Sequence, residues 1–151
     1  MMRLRARTRT WLAGVVIMGL FTATSARAEV VAIVHPQNPA ETMTLTEVRL
    51  LFSLYRRSWV GGVRVSLSLP EAGTPAMRFL SDEVFRKRYQ EGILYYYRTA
   101  VFQHRIAILP PTNASRAATR FVRSEPGAIA LIERSQIDDA GGLQIIQIRP
   151  D

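Results

Sequence analysis

The chain has 151 residues, a formal charge of +8 and no cysteine. That length suits one small domain, and the missing cysteine excludes both a disulfide scaffold and a lipid-modified cysteine. The charge would suit an anionic partner, but most of its excess sits at one end of the chain.

Arg3, Arg5, Arg7 and Arg9 come first, the apolar run WLAGVVIMGLF follows, and TATSARA ends at Ala26-Arg27-Ala28. A basic start, an apolar run of roughly 7–15 residues and an A-x-A end mark a secretory signal. The run is shorter than the roughly 20 apolar residues of a membrane span. Residues 1–28 therefore read as a signal peptide, and residues 29–151 as one exported, periplasmic domain. No Arg-Arg pair is present, so twin-arginine export is not expected. Removing residues 1–28 takes away five arginines and no acids, leaving 15 basic and 12 acidic residues, a net +3. A nucleic-acid partner is accordingly not expected.

In chain order, VVAIV at 30–34 is a continuous apolar run that suits a strand buried on both faces. HPQNP then breaks it, because two prolines cannot continue a ladder. Thr44 or Thr46 offers a helix cap, with Glu47 in the first turn and Val48, Leu51 and Phe52 at helical spacing. YRRSW reads as a polar turn with Trp59 as its anchoring ring. Gly61-Gly62 turns the chain into VRVSLSL, whose alternation predicts a half-buried strand with Val63, Val65, Leu67 and Leu69 inward. Pro75 opens a helix with Met77, Leu80 and Val84 as its inner stripe. The helical pattern weakens near Gly92 and resumes through ILYYYRTAVF, and LPP ends it. NASRAATRFVRSE predicts a further helix, with Ala117, Ala118, Phe121 and Val122 on one side. GAIALI reads as a central strand and LQIIQI as the last one. The order predicts an α/β sandwich around a mixed sheet. Its first two strands are expected to be parallel, joined by a right-handed crossover.

Three segments together resemble a family. TLTEVRLLFSLYRRSWVGGVRVSLSLP is similar to the helix–turn–strand of phosphate-binding proteins that serve ABC-type transporters. EAGTPAMRFLSDEVF lies where they carry a Gly-Ser-Gly-Thr loop opening a helix. VRSEPGAIALIERSQI resembles their Pro-Gly-Ala-Ile-Gly-Tyr strand. The resemblance covers about residues 30–148 and implies one lobe of the type II periplasmic-binding-protein fold, a mixed sheet flanked by helices. It implies solute binding rather than catalysis, with inorganic phosphate or a similar oxyanion as ligand and an ABC permease or periplasmic protein as partner. A lobe of this kind could also close over a ligand as a homodimer. The chain departs from the family pattern where Ala72 replaces a hydroxyl-bearing serine, where Glu71 adds a negative charge, where arginines fill LYRRSW, and where Ala130-Leu131 replaces Gly-Tyr.

Two readings fit the corner at residues 71–78. In one, Gly73 and Thr74 expose a helix N-terminus to an oxyanion and Arg78 reaches back as a fork. In the other, Thr74 is an ordinary N-cap, Pro75 the first helical residue and Arg78 part of a solvated face. Arg57 is a further candidate for the anion, or for an acidic partner, beside Arg56. Tyr95, Tyr96 and Tyr97 point about 100° apart on a helix, so one of them must face outward and could serve an interface. His35 and His104 have no ligand-like spacing, so neither a metal nor any other cofactor is expected. No G-x-S-x-G elbow or paired-carboxylate arrangement is visible, and nothing in the sequence argues for an enzyme. Asn113 and Ser115 read as helix caps. The functional expectation is an oxyanion-binding lobe linked to uptake or sensing, with Gly73, Thr74, Arg78 and Arg57 as contacts. The alternative is a protein-interaction module on the same fold that has lost its ligand.

Overall fold

The computed structural model of the chain describes residues 28–86, 90–103, 107–109 and 115–151. The signal-peptide expectation therefore lies outside the described residues up to position 27, as do His104 and Asn113. Six strands form one mixed sheet: β1 (Val30–Val34), β2 (Met43–Thr44), β3 (Ser66–Ser68), β4 (Ala107–Leu109), β5 (Ala128–Glu133) and β6 (Gln144–Arg149). Their spatial order is β2-β6-β1-β5-β3-β4. The helices are α1 (Leu45–Phe52), α2 (Pro75–Phe79), α3 (Gln90–Phe102) and α4 (Ser115–Ser124), and a π-helical turn at Leu80–Val84 extends α2.

The apolar runs become central strands because both of their faces are covered. In β1, Ala32 and Val34 point into the larger core with α1, α2 and α3. Val31 and Ile33 point into a smaller core beneath Val122 of α4. β5 divides in the same way, with Ile129 and Leu131 on one side and Ala128, Ala130 and Ile132 on the other. Helices on both faces account for continuous apolar sequence where a one-sided sheet would alternate.

Three expectations are corrected. The first two predicted strands are not a parallel pair. β1 runs antiparallel to β5, and β3 runs parallel to β5, so β5 stands between β1 and β3 and they point in opposite directions. Second, β2 and β4 were not expected. They are two and three residues long and exist through pairing, β2 with β6 and β4 with β3, both parallel. Third, Val63 is not inward but 45% exposed. Residues 58–64 form a separate hairpin, closed by a bridge between Ser58 and Arg64. The ladder begins only at Ser66, where Ser66 and Ser68 are buried as well as Leu67, so the strand is covered on both faces.

Helix starts follow their sequence signals. Thr44 caps α1 in a capping box: its hydroxyl accepts the Glu47 N–H, while the Glu47 carboxylate accepts the Thr44 N–H at 2.8 Å. Such a cap is worth about 1 kcal/mol. Arg49 ties α1 to the π-helical turn, its Nε donating to the Glu83 carbonyl at 2.7 Å. Among the described residues no helix is long and apolar enough to cross a membrane.

Candidate functional site

Residues 71–74 make the turn that follows β3. The Thr74 N–H donates to the Glu71 carbonyl at 3.3 Å, and Gly73, third in the turn, has φ +81. A type II turn needs that positive φ at its third position, and glycine adopts it without a steric penalty. A Cβ added at Gly73 would meet nothing within 4 Å, so the glycine answers to backbone conformation and not to crowding.

Thr74 is the N-cap of α2. Its hydroxyl accepts the Met77 N–H at 3.2 Å and donates to the Glu71 carbonyl at 2.7 Å, so its donor is already committed within the corner. Pro75 has no N–H to satisfy at the first helical position. Arg78 folds back over the first turn, and its guanidinium donates to the Gly73 carbonyl at 2.8 Å. Gly73, Thr74 and Arg78 thus come together, with Glu71, Ala72, Gly73 and Arg78 all exposed. A guanidinium has five donors, and Arg78 forms no ion pair among the described residues. The corner can therefore offer a cationic fork to solvent, at the end of a turn in which Thr74 and Glu71 bond one another.

Arg57 lies elsewhere. It lines a cleft of about 510 Å³ between the C-terminal turn of α1 and the outer side of α3, together with Tyr55, Tyr95 and Thr99 and with none of the three corner residues. Its Nε donates to the Leu54 carbonyl at 3.3 Å. Arg56, the preceding residue, faces a second cleft of about 360 Å³ that contains Glu41, Glu47 and Trp59. Residues 55–57 form the ridge between the two.

The ridge has a fixed base that local sequence patterns do not reveal. Leu54 has φ +65, a left-handed conformation that costs a non-glycine residue roughly 1–2 kcal/mol. Two phenols from α3 hold the carbonyls just before it. Tyr96 donates to the Ser53 carbonyl at 2.7 Å and Tyr97 to the Phe52 carbonyl at 2.5 Å. Burial, with Tyr96 beside it, pushes the Tyr97 phenol well above the usual tyrosine range, so it remains a protonated donor. Phe85, Tyr96 and Tyr97 pack edge to face, with centroids 5.4–5.9 Å apart. Trp59 anchors the far side, its Nε1 donating to the Gly127 carbonyl at 2.9 Å. Tyr95, the residue just before Tyr96 on α3, is 73% exposed.

No group of three or more His, Cys, Asp or Glu side chains that could hold a metal occurs among the described residues. No family model and no curated sequence matches the chain. Among solved structures, it is similar to one described as a possible phosphate binding protein from Planctomyces limnophilus, at 13% identity and a TM-score of 0.57, with 81% of this chain and 42% of that one covered. It is also similar to a candidate phosphate ABC transporter substrate-binding protein with bound phosphate from Clostridium perfringens, at 16% identity and a TM-score of 0.52, with 82% and 45% covered. The chain thus spans less than half the length of either neighbour. At such low identity the likeness is one of fold: the chain has the α/β architecture of one lobe of a type II periplasmic binding protein, a mixed sheet flanked by helices.

Proposed function

We propose that the chain is an exported solute-binding lobe that takes phosphate or a related oxyanion at the corner of Gly73, Thr74 and Arg78, in the service of an ABC-type uptake or sensing system. The observation that carries this reading is the return of Arg78 onto the Gly73 carbonyl, which gathers the three residues together with Gly73 and Arg78 exposed and Thr74 half-buried. The phosphate-binding descriptions of the structural neighbours support it. An arriving oxyanion would compete with that carbonyl for Arg78, and charge-assisted pairs are roughly twice as strong as neutral ones. Thr74 would contribute by redirecting its hydroxyl from Glu71. Glu71 and solvent exposure both weaken the contact, so affinity on a lone lobe falls in the millimolar range, about 4 kcal/mol. Residues 1–28 would direct the lobe to the periplasm.

Thermal unfolding of the purified chain tests this. A ligand that binds only the native state raises the melting temperature by mass action. Phosphate or sulfate at millimolar concentration should raise it in a dose-dependent way, and Arg78→Ala should abolish the rise. Equal rises in the parent and the Arg78→Ala chain, or none with any oxyanion, would remove the corner as a ligand site.

A further inference from the structure

We propose that the cleft between the α1 C-terminal turn and α3 docks an extended segment of a partner protein, one that sets an acidic side chain next to an aromatic or aliphatic one. The proposal uses residues separate from the oxyanion corner and does not depend on it. Its first support is charge. Among the described residues, the cleft is lined by Arg57 and by no aspartate or glutamate. Arg57 gives one donor to the Leu54 carbonyl and forms no ion pair among the described residues. The neighbouring cleft is different, because its Arg56 pairs with Glu47 at 4.0 Å. Of two clefts that share a wall, one sets two glutamates against its arginine and the other is left cationic. Glu91 precedes Gly92 at the margin of the cationic cleft but does not line it.

The second support is the pair of exposed phenols. Tyr55 on the ridge is 85% exposed and Tyr95 on α3 is 73% exposed, and both line the same cleft. Large rings with few rotatable bonds are the usual anchors of protein recognition. Phe102 continues the exposed apolar surface toward the end of α3. Between the walls, Thr99 and Gln103 supply polar groups.

The third is rigidity. The ridge is set by the left-handed Leu54 and by the Tyr96 and Tyr97 hydroxyls, so the backbone that carries Tyr55 and Arg57 is positioned before anything binds. Backbone strain in a well-supported turn beside a cleft is a common mark of recognition sites, and preorganisation lowers the entropic cost of docking.

A peptide segment fits better than a second copy of this chain. A stable interface removes about 800 Å² from each partner, far more than a cleft flanked by two tyrosines provides. Residues 29–151 also carry a net +3, so two basic surfaces would repel.

The test is selection of a random dodecapeptide display library on the purified chain, with counter-selection on the Arg57→Glu chain. Enriched peptides should place Asp or Glu beside an aromatic or aliphatic residue. The best of them, synthesised, should lose at least tenfold in affinity with Arg57→Glu and with Tyr95→Ala, and should bind Arg78→Ala as well as the parent. Both altered side chains lie on the surface, so melting temperatures should stay within a few degrees. Tyr55→Ala serves as an independent variant on the opposite wall. Enrichment of basic peptides, no enrichment above background, or affinity unchanged by all three cleft variants would overturn the proposal. So would a concentration-dependent dimer in sedimentation that Tyr95→Ala abolishes, since the occupant would then be a second copy.

Discussion

The corner at Gly73 and the turn at Leu54 both place a left-handed residue at the end of a helix, yet they are held by different means. At the corner the side-chain bonds of Thr74 and Arg78 each span three to five residues: Thr74 to Glu71, Met77 to Thr74, Arg78 to Gly73. At the Leu54 turn the decisive bonds come from Tyr96 and Tyr97, 43 and 45 positions from the carbonyls they hold. The corner, whose side-chain bonds are local, uses glycine, whose backbone tolerates φ +81 at no steric cost. A turn fixed from outside can carry leucine at φ +65, because distant contacts outweigh the local preference. The comparison also separates their chemistry. At the corner Thr74 and Arg78 form hydrogen bonds within the turn, while the ridge beyond Leu54 presents Tyr55 and Arg57 outward.

Substitutions can break or sharpen this contrast. The largest effect is expected at Gly127, which receives the Trp59 indole and closes the ridge from a distance. A Cβ there would lie 1.9 Å from the Arg64 carbonyl oxygen. Gly127→Ala should therefore lower unfolding free energy by about 3 kcal/mol in urea titration, near the upper end for overpacking. A loss under 1 kcal/mol would mean that the 58–64 hairpin moves freely and the ridge is not fixed from the sheet. Next comes Tyr97→Phe, which leaves the Phe52 carbonyl without its phenol in a buried setting. It should cost about 1.5 kcal/mol. The smallest is Thr74→Ala, which removes one cap and should cost about 1 kcal/mol. If Thr74→Ala proved more damaging than Tyr97→Phe, the corner would be tied to more than its neighbours and the division drawn above would fail.

What could be read from the sequence follows the same division. The caps, the Pro75 helix start and the central GAIALI strand are local signals: of Thr44 and Thr46 the structure takes Thr44 as the cap, Thr74 caps α2, and Pro75 and GAIALI stand where the sequence puts them. The outward tyrosine of the Tyr95–Tyr97 run follows from helical geometry, and Tyr95 takes that place while Tyr97 is 1% exposed. Most of the misses are non-local, Val63 excepted, which the 58–64 hairpin turns outward. β2 and β4 are too short to show any periodicity and depend on partners far along the chain. The insertion of β5 between β1 and β3 cannot be seen in either strand's own residues. Arg57 shares anion-friendly chemistry with Gly73, but the ridge carries it into the cleft beside α3. No pattern within residues 53–57 announces that ridge, because the residues that set it lie on α3 and beside β5.

The antiparallel placement of β1 between β5 and β6 bears on how the chain acquires its shape. Val31 pairs with Ile132 on one side and Gln147 on the other. Both ladders of that strand close loops of about a hundred residues, and contacts so distant in sequence form slowly. A ribosome or translocase releasing the polypeptide from its amino end must deliver nearly all of it before the middle of the sheet can assemble. Until then VVAIV is an unpaired sticky segment, so helper proteins that shield such stretches would matter most during that interval.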